Sequence, residues 1–401
     1  MYRRAYIMLL GVVGACGFDV RVNTDGGMGS GDGSGSADAM AAICPWPYTP
    51  EYANPCPATD GPEIDLTEGD LVLDTDDGTL TGGPTSIDIV SEITADVRVV
   101  WTRGFHIGPD ATLRVIGSFP AVFIATGSIT IEGTLDAAGR ASSPLTGDNP
   151  AGANPAECGE PTVGGAGPGQ PCAAEGASGG GGGSFATMGG QGGGGGSGRN
   201  CGQVTGPLPG GTGGAIVAMR PLTLRGGCPG AAGGLSTQAG AIAGRAGSGG
   251  GAVALVGRDQ VTISGRVNVG GAGGGGAVER SGGGGGGSGG MIVLEGTTIT
   301  ITTQARVSAN GGGGGGGCDN NSADEGDDGK DGVAVAQGGA NEGSGTDGGD
   351  GAARSNGAVS ADVSGRGGGG GGGGVGYVRF HSRDGVTAPS EPTSVSPVGS
   401  P

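Results

Sequence analysis

The chain has 401 residues, 105 of them Gly, and a formal charge of −18 from 20 basic and 38 acidic side chains. That acidity excludes nucleic acid as a partner, and a glycine share far above the usual ~7% marks a repetitive chain. A strict Gly-X-Y period is absent, which excludes collagen, and only His106 and His381 are available for a histidine metal site or triad.

Arg3 and Arg4, followed by the apolar stretch from Tyr6 to Val13, read as a secretion signal over residues 1–15, too short to span a bilayer. Val13-Gly14-Ala15-Cys16 closes it and resembles a bacterial lipobox. That resemblance implies cleavage before Cys16 and acylation of its sulfur. More than one acyl chain anchors stably, because each buried CH2 contributes about 0.8 kcal/mol. Gly17 stands where lipoproteins retained at the inner membrane commonly carry Asp, so the same resemblance implies the outer membrane, facing either the surface or the periplasm. Residues 16–42, with Asp25-Gly-Gly-Met-Gly-Ser-Gly, read as the lipidated Cys and a flexible spacer. Residues 43–62 form a short Cys- and Pro-rich segment.

From residue 63 the pattern changes. Ile87-Asp-Ile-Val, Val97-Arg-Val-Val-Trp101, Phe105-His-Ile and Leu113-Arg-Val-Ile read as short strands. Gly108-Pro109-Asp110 and Gly117-Ser118 read as turns between them. A repeat follows, in which an apolar-Thr-apolar core recurs at Ile129-Thr-Ile, Leu222-Thr-Leu, Val261-Thr-Ile and Ile299-Thr-Ile. Strand alternation points Ile129, Ile131, Val261, Ile263, Ile299 and Ile301 inward and Thr130, Thr262 and Thr300 outward. Units too small to bury their own apolar face must stack on neighbours. The expected fold is therefore all-β, a parallel β-helix or solenoid-like stack of short strands over residues 63–383.

Unbroken Gly runs close the units, at 282–287, 311–317 and 367–374. They read either as flexible loops or as left-handed polyglycine II strands packed against one another, whose amides would partner each other. Residues 140–212 and 318–366 interrupt the period and read as inserts leaving the solenoid, and residues 384–401 as a disordered tail.

Candidate chemistry is sparse. Export makes disulfides plausible. Cys44–Cys56 is the natural local pair, Cys158–Cys172 and Cys201–Cys228 follow by proximity, and Cys318 is left over. Asp319, Asn321, Asp324, Asp327 and Asp331, with Asp328 among them, are hard oxygen ligands of the kind calcium takes, although the EF-hand spacing fails and a solvated acidic loop explains the run as well. No other cofactor is indicated. Asp96, Arg98, Arg103 and Arg114 are the residues that a solenoid acting on polysaccharide would use.

The signal, the spacer and units such as Gly-Gly-Met291-Ile-Val-Leu-Glu followed by Ile-Thr-Ile and Val-Ser-Ala-Asn-Gly-Gly together resemble the glycine-rich surface lipoproteins of myxobacteria and related bacteria. The resemblance covers roughly residues 119–383 and implies cell-envelope placement without catalytic residues. The expectation is a lipid-anchored, non-enzymatic envelope or surface protein, structural or adhesive. Its partners would be the membrane, through the anchor, and extracellular polysaccharide or envelope proteins. The alternative is a solenoid that binds or processes carbohydrate.

Overall fold

A computed structural model describes residues 46–56, 61–83, 89–141, 149–158, 176–196, 208–217, 221–354, 357–361, 366–388 and 395–397. The readings made for Cys16, Cys44, Cys172, Cys201, the signal and the spacer lie outside them. Among the described residues there is no helix, and the strands are β1 (Ile64–Asp74), β2 (Thr79–Gly82), β3 (Val90–Thr94), β4 (Val97–Thr102), β5 (Phe105–Ile116), β6 (Ala121–Ala125), β7 (Ile129–Ile131), β8 (Thr134–Asp136), β9 (Ala252–Ile263), β10 (Arg266–Asn268), β11 (Met291–Ile301), β12 (Arg306–Ser308), β13 (Tyr377–Ser382), β14 (Val386–Thr387) and β15 (Val395–Ser396). They form one largely parallel sheet that does not close, with antiparallel pairing at β1–β2 and β3–β4.

Three ladders run through this sheet. In the first, β4, β6, β9, β11 and β13 align Val100, Phe123, Leu255, Leu294 and Phe380. In the second, Ile107 of β5 faces Ile131 of β7, Ile263 of β9 and Ile301 of β11. In the third, Leu113, Leu135, Val267, Val307 and Val395 align from β5 to β15. Their inward side chains merge into one apolar cluster. Ile129, Ile131, Val261, Ile263, Ile299 and Ile301 are all buried, and Thr130, Thr262 and Thr300 stand half-exposed between them, as the alternation requires. The first ladder is buried on its outer face too: Val99, Val122, Ala254 and Val293 pack with Phe185, Leu224 and the aromatic rings of Trp46, Tyr48 and Tyr52. Burial on both faces explains why Ala252–Val256 and Met291–Leu294 read as continuous apolar runs.

Three expectations are corrected. Gly108-Pro109-Asp110 is no turn; β5 runs straight through it, with a register shift opposite Leu66 and Glu68 of β1. Leu222-Thr-Leu forms no strand: Leu222 is 94% exposed and only Leu224 packs, because glycine strands flank the motif on both sides and draw it into a bend. The tail contributes β14 and β15, which extend the second and third ladders.

The glycine segments leave after β8, β10 and β12, at the end of the third ladder, and return at β9, β11 and β13, in the first. Between these points they build a lattice with a three-residue repeat. In the run 282–290, Gly282, Gly285 and Ser288 donate to Gly234, Ala231 and Cys228. Gly283, Gly286 and Gly289 donate to Gly368, Gly371 and Gly374. Gly284, Gly287 and Gly290 donate to Gly275, Ala272 and Val269. Its carbonyls accept from 244–250, 180–183 and 312–315. A chain with three residues per turn and no internal hydrogen bond aims successive amides in three directions, so this run sits among six neighbours.

That position excludes side chains along 282–287. A Cβ on Gly282, Gly283 or Gly284 would lie 1.9, 2.1 or 1.8 Å from the carbonyl oxygens of Ser178, Gly315 and Arg245. The runs 311–317 and 367–374 are enclosed in the same way. Strands at the perimeter need glycine only on their inward side. Gly326, Gly329 and Gly332, or Gly345, Gly348 and Gly351, recur every third residue, with acids and other polar residues between. Much of 140–212 and 318–366 is therefore lattice strand and not loop: residues 179–183 bond to 193 and 283–286, and residues 323–329 bond to both 271–277 and 313–316.

Candidate functional site

The third ladder supplies a row of polar groups on its outward side. Parallel register places Arg114, Asp136, Asn268 and Ser308 side by side, and Thr112, Thr134, Arg266 and Arg306 beside them. The perimeter strand 323–332 crosses over this row. Asn310 Nδ2 donates to the carbonyls of Lys330 and Gly332, each at 2.7 Å, and the Gly332 amide donates to Ser308 Oγ at 2.6 Å. Asp328 and Asp331, one turn apart on that strand, thereby hang over the ladder. The space between is a cleft of about 230 Å³ lined by Thr134, Asp136, Arg140, Arg266, Asp328 and Asp331, among others.

Asp136 anchors its floor. Oδ2 accepts from Arg114 Nη1 at 3.0 Å and from Arg140 Nη2 at 2.7 Å, and Oδ1 accepts from the Ala138 amide. Arg266 Nη1 lies 3.2 Å from Asp331 Oδ2. Asp328 Oδ1 accepts from the amides of Ala141 and Gly273. Burial pushes the carboxyls of Asp328 and Asp331 up, against the amide hydrogen bonds of the first and the pull of Arg266 on the second. The side chains of Arg140 and Arg266 are 51% and 61% exposed and retain unused donors. The cleft sets Arg140 and Arg266 against Asp136, Asp328 and Asp331, with Arg114 behind Asp136. It can hold a polar ligand that offers a carboxylate to the guanidiniums and hydroxyls to the aspartates.

The acidic run does not converge as a calcium site would. Asp319 sits between Arg280 and Arg366, at 3.6 and 3.2 Å. Asn321 donates to Glu342, Asp327 pairs with Lys330, Asp331 pairs with Arg266, and Asp324 is exposed. Among the described residues no group of three or more His, Cys, Asp or Glu is placed to hold a metal. The three-residue repeat is the reason: acids three apart share a side, but at ~3.1 Å per residue they stand about 9 Å apart. Several of these carboxylates do another job. Asp350 accepts from the Gly338 amide, Asp347 from Asn341, Asp327 from Gln337, and Glu342 from Asn320 and Asn321. They seal amides that no backbone carbonyl takes up. These hydrogen bonds pull the exposed Glu342 carboxyl down to about 2.

Of the other candidates, Arg114 backs the cleft through its ion pair with Asp136. Arg98 is buried and donates to the carbonyls of Thr75 and Asp76, and Asp96 forms the β3–β4 turn with φ 66°. His106 bridges Asp65 at 2.7 Å and Glu132 at 3.4 Å on an exposed face; partial burial pulls its pKa down, and the two carboxylates outweigh that and raise it.

A second cluster gathers around Glu295 and contains one residue noted from sequence, His381. Glu295 of β11 is fully buried outside the main core. Both its oxygens accept from the Glu51 amide, His381 lies 3.3 Å away, and Tyr48 packs edge-on to His381 while donating to the Gly257 carbonyl. Burial pushes Glu295 up to about 7, partly offset by the Glu51 amide and His381. Arg379 reaches Tyr52 and Glu51, so segment 46–56 is strapped across the first ladder. The signal available in the sequence was an acid ending the apolar run Met291-Ile-Val-Leu-Glu295.

Cysteine pairing is also corrected. Cys158 is bonded to Cys228, 70 residues away, with Cα atoms 5.5 Å apart. Cys172 and Cys201, the neighbours in sequence, lie outside the described residues. Lattice packing, not chain proximity, sets this pair. Cys56 is disulfide-bonded, and Cys318 is free and buried. Neither a protein family, nor a curated protein, nor a solved structure matches this chain.

Proposed function

We propose that this is a lipid-anchored, non-enzymatic protein of the cell envelope with a structural or adhesive role, attached to the outer membrane through Cys16. In this reading the three ladders wind as a parallel β-solenoid and the glycine segments form a polyglycine II bundle. The observation that carries it is the lattice, in which glycine runs are hydrogen-bonded to neighbours on all sides and acids line the perimeter. Such a body is stiff and hydrophilic, properties that suit a spacer or display element. The test is protease treatment of intact cells with a Cys16→Ser control. Digestion of only the anchored protein at the cell surface supports an adhesive role. Full protection overturns surface exposure and leaves periplasmic structure.

One observation favours a second reading, carbohydrate binding: the cleft pairs half-exposed Arg140 with Asp136 and half-exposed Arg266 with Asp331. A glycan array should then show acidic saccharides retained by the protein and lost when Arg140 and Arg266 are both changed to Ala. Equal binding by the double variant would remove the cleft from consideration.

A further inference from the structure

The Cys158–Cys228 disulfide ties segment 149–158 to lattice strand 226–235. Backbone contacts already join the two. The Gly226 amide donates to the Gly152 carbonyl at 3.0 Å, the Asn154 amide to the Gly227 carbonyl at 2.9 Å, and Asn154 Oδ1 accepts from Gly249 at 2.8 Å. The two segments are therefore joined by backbone hydrogen bonds as well as by the covalent bond.

Arg225 lies against both sulfurs. Its Nη2 is 3.5 Å from Cys158 Sγ and 3.8 Å from Cys228 Sγ, and its guanidinium carbon is 5.4 Å from the centre of the Phe185 ring. The residue is only 8% exposed, and its Nε has no hydrogen-bond partner. The field of Glu157 reaches it, but among the described residues no carboxylate forms an ion pair with it. A buried guanidinium without a counter-ion is costly. A neutral disulfide is a poor partner for that charge and a thiolate is a good one. The sulfurs differ in access: Cys228 is fully buried and Cys158 is half-buried.

We propose that Cys158–Cys228 is a thiol–disulfide exchange site, open to an outside thiol at Cys158, in which Arg225 stabilises the Cys228 thiolate released. A donor thiolate, its proton already lost to solvent, attacks Cys158 Sγ. A donor–Cys158 disulfide forms, the Cys158–Cys228 bond breaks, and the bonding pair leaves on Cys228 Sγ beside the guanidinium. A second donor thiolate attacks the donor sulfur of the mixed disulfide and releases Cys158. The donor pair is oxidised to a disulfide and the protein pair is reduced by two electrons. The donor class is a small or protein dithiol, or two molecules of a monothiol such as glutathione. The site is independent of the surface and glycan readings.

The experiment equilibrates the folded full-length chain in glutathione buffers, quenches by unfolding in alkylating reagent, and maps peptides by mass. In the wild type, glutathione should be trapped on Cys158 and not on Cys228, with the bond reduced while circular dichroism still reports the native sheet. Adducts on both sulfurs alike, or reduction only after global unfolding, would overturn the proposal without any variant. Arg225→Met should need at least roughly tenfold more reductant for half-reduction, because a charge-assisted contact to the thiolate is lost, and Arg225→Lys should recover most of that loss. An unchanged midpoint in folded Arg225→Met would equally overturn it.

Discussion

The ladders and the glycine lattice meet one requirement, that buried amides and carbonyls be paired, by opposite means. In the ladders each strand bonds sideways within one sheet, and the faces are left to Ile, Val and Leu, which fill the interior. In the lattice a strand bonds in three directions, and the faces vanish into further hydrogen bonds. One region is held by side chains and the other by their absence. Glycine loses the most backbone freedom on ordering, so the lattice has to recover that cost through density of pairing, which explains why its central runs are uninterrupted.

The largest effect should come from reversing that logic at a central glycine. Gly285 would place a Cβ 2.0 Å from the Gly181 carbonyl oxygen, and both groups are backbone with nothing to rotate away. Gly285→Val should cost about 4 kcal/mol or more, at the extreme of single substitutions, and show up as loss of the cooperative thermal transition. Gly357→Ala, with nothing within 4 Å of the added carbon, is the matched control and should shift the midpoint little. In the ladders the sign inverts. Ile263 is fully buried at the centre of the second ladder, and Ile263→Ala should cost about 2–5 kcal/mol in denaturant unfolding by removing a side chain and leaving a cavity.

The ladders were legible in the sequence because alternation is local: Ile129-Thr-Ile, Val261-Thr-Ile and Ile299-Thr-Ile declare their own inward faces. The central glycine runs were legible as candidates for packing. The perimeter strands were not, because acids and other polar residues fill the positions between glycines and read as solvated loop, although the spacing of Gly326, Gly329 and Gly332 was available as a signal. The cleft was illegible for a different reason. Asp136 and Arg140 are neighbours in sequence, but Arg266 and Asp331 arrive through strand register and a crossing strand, and no local pattern reports that. The Cys158–Cys228 bond, 70 residues apart, is the same kind of fact.

Glu295 tests the boundary where the strap 46–56 covers the first ladder. Its carboxyl sits near 7 in the fold against 4.5 without burial, so between those values the folded chain holds a proton that the unfolded chain releases. Stability should therefore fall as pH rises from about 4.5 to about 7 and flatten above. The loss is on the order of 3–4 kcal/mol, because a one-proton difference changes stability by ~1.4 kcal/mol for each pH unit crossed. Tyr48, Glu51, Tyr52, Arg379 and His381 all face this region, so the slope is assigned to Glu295 by substitution. Glu295→Gln should flatten the 4.5–7 segment in melts taken across pH. An unchanged slope would assign it to another group.

The smallest effect distinguishes the lattice edge from its centre. Asp350 Oδ1 accepts from the Gly338 amide at 2.9 Å, a position where an interior strand would have offered a backbone carbonyl. If the perimeter acids are there to finish the hydrogen bonding, Asp350→Ala should cost about 1 kcal/mol by leaving that amide unpaired. Asp350→Asn keeps an acceptor oxygen and should cost less than half as much. If the acids serve only to keep the surface charged, the two variants are equivalent: each removes one negative charge, both should melt alike, and added salt should erase any difference from the wild type. Thermal melts of the two variants at low and high salt separate these cases, and the hydrogen-bonding account requires that the Ala–Asn gap persist at high salt.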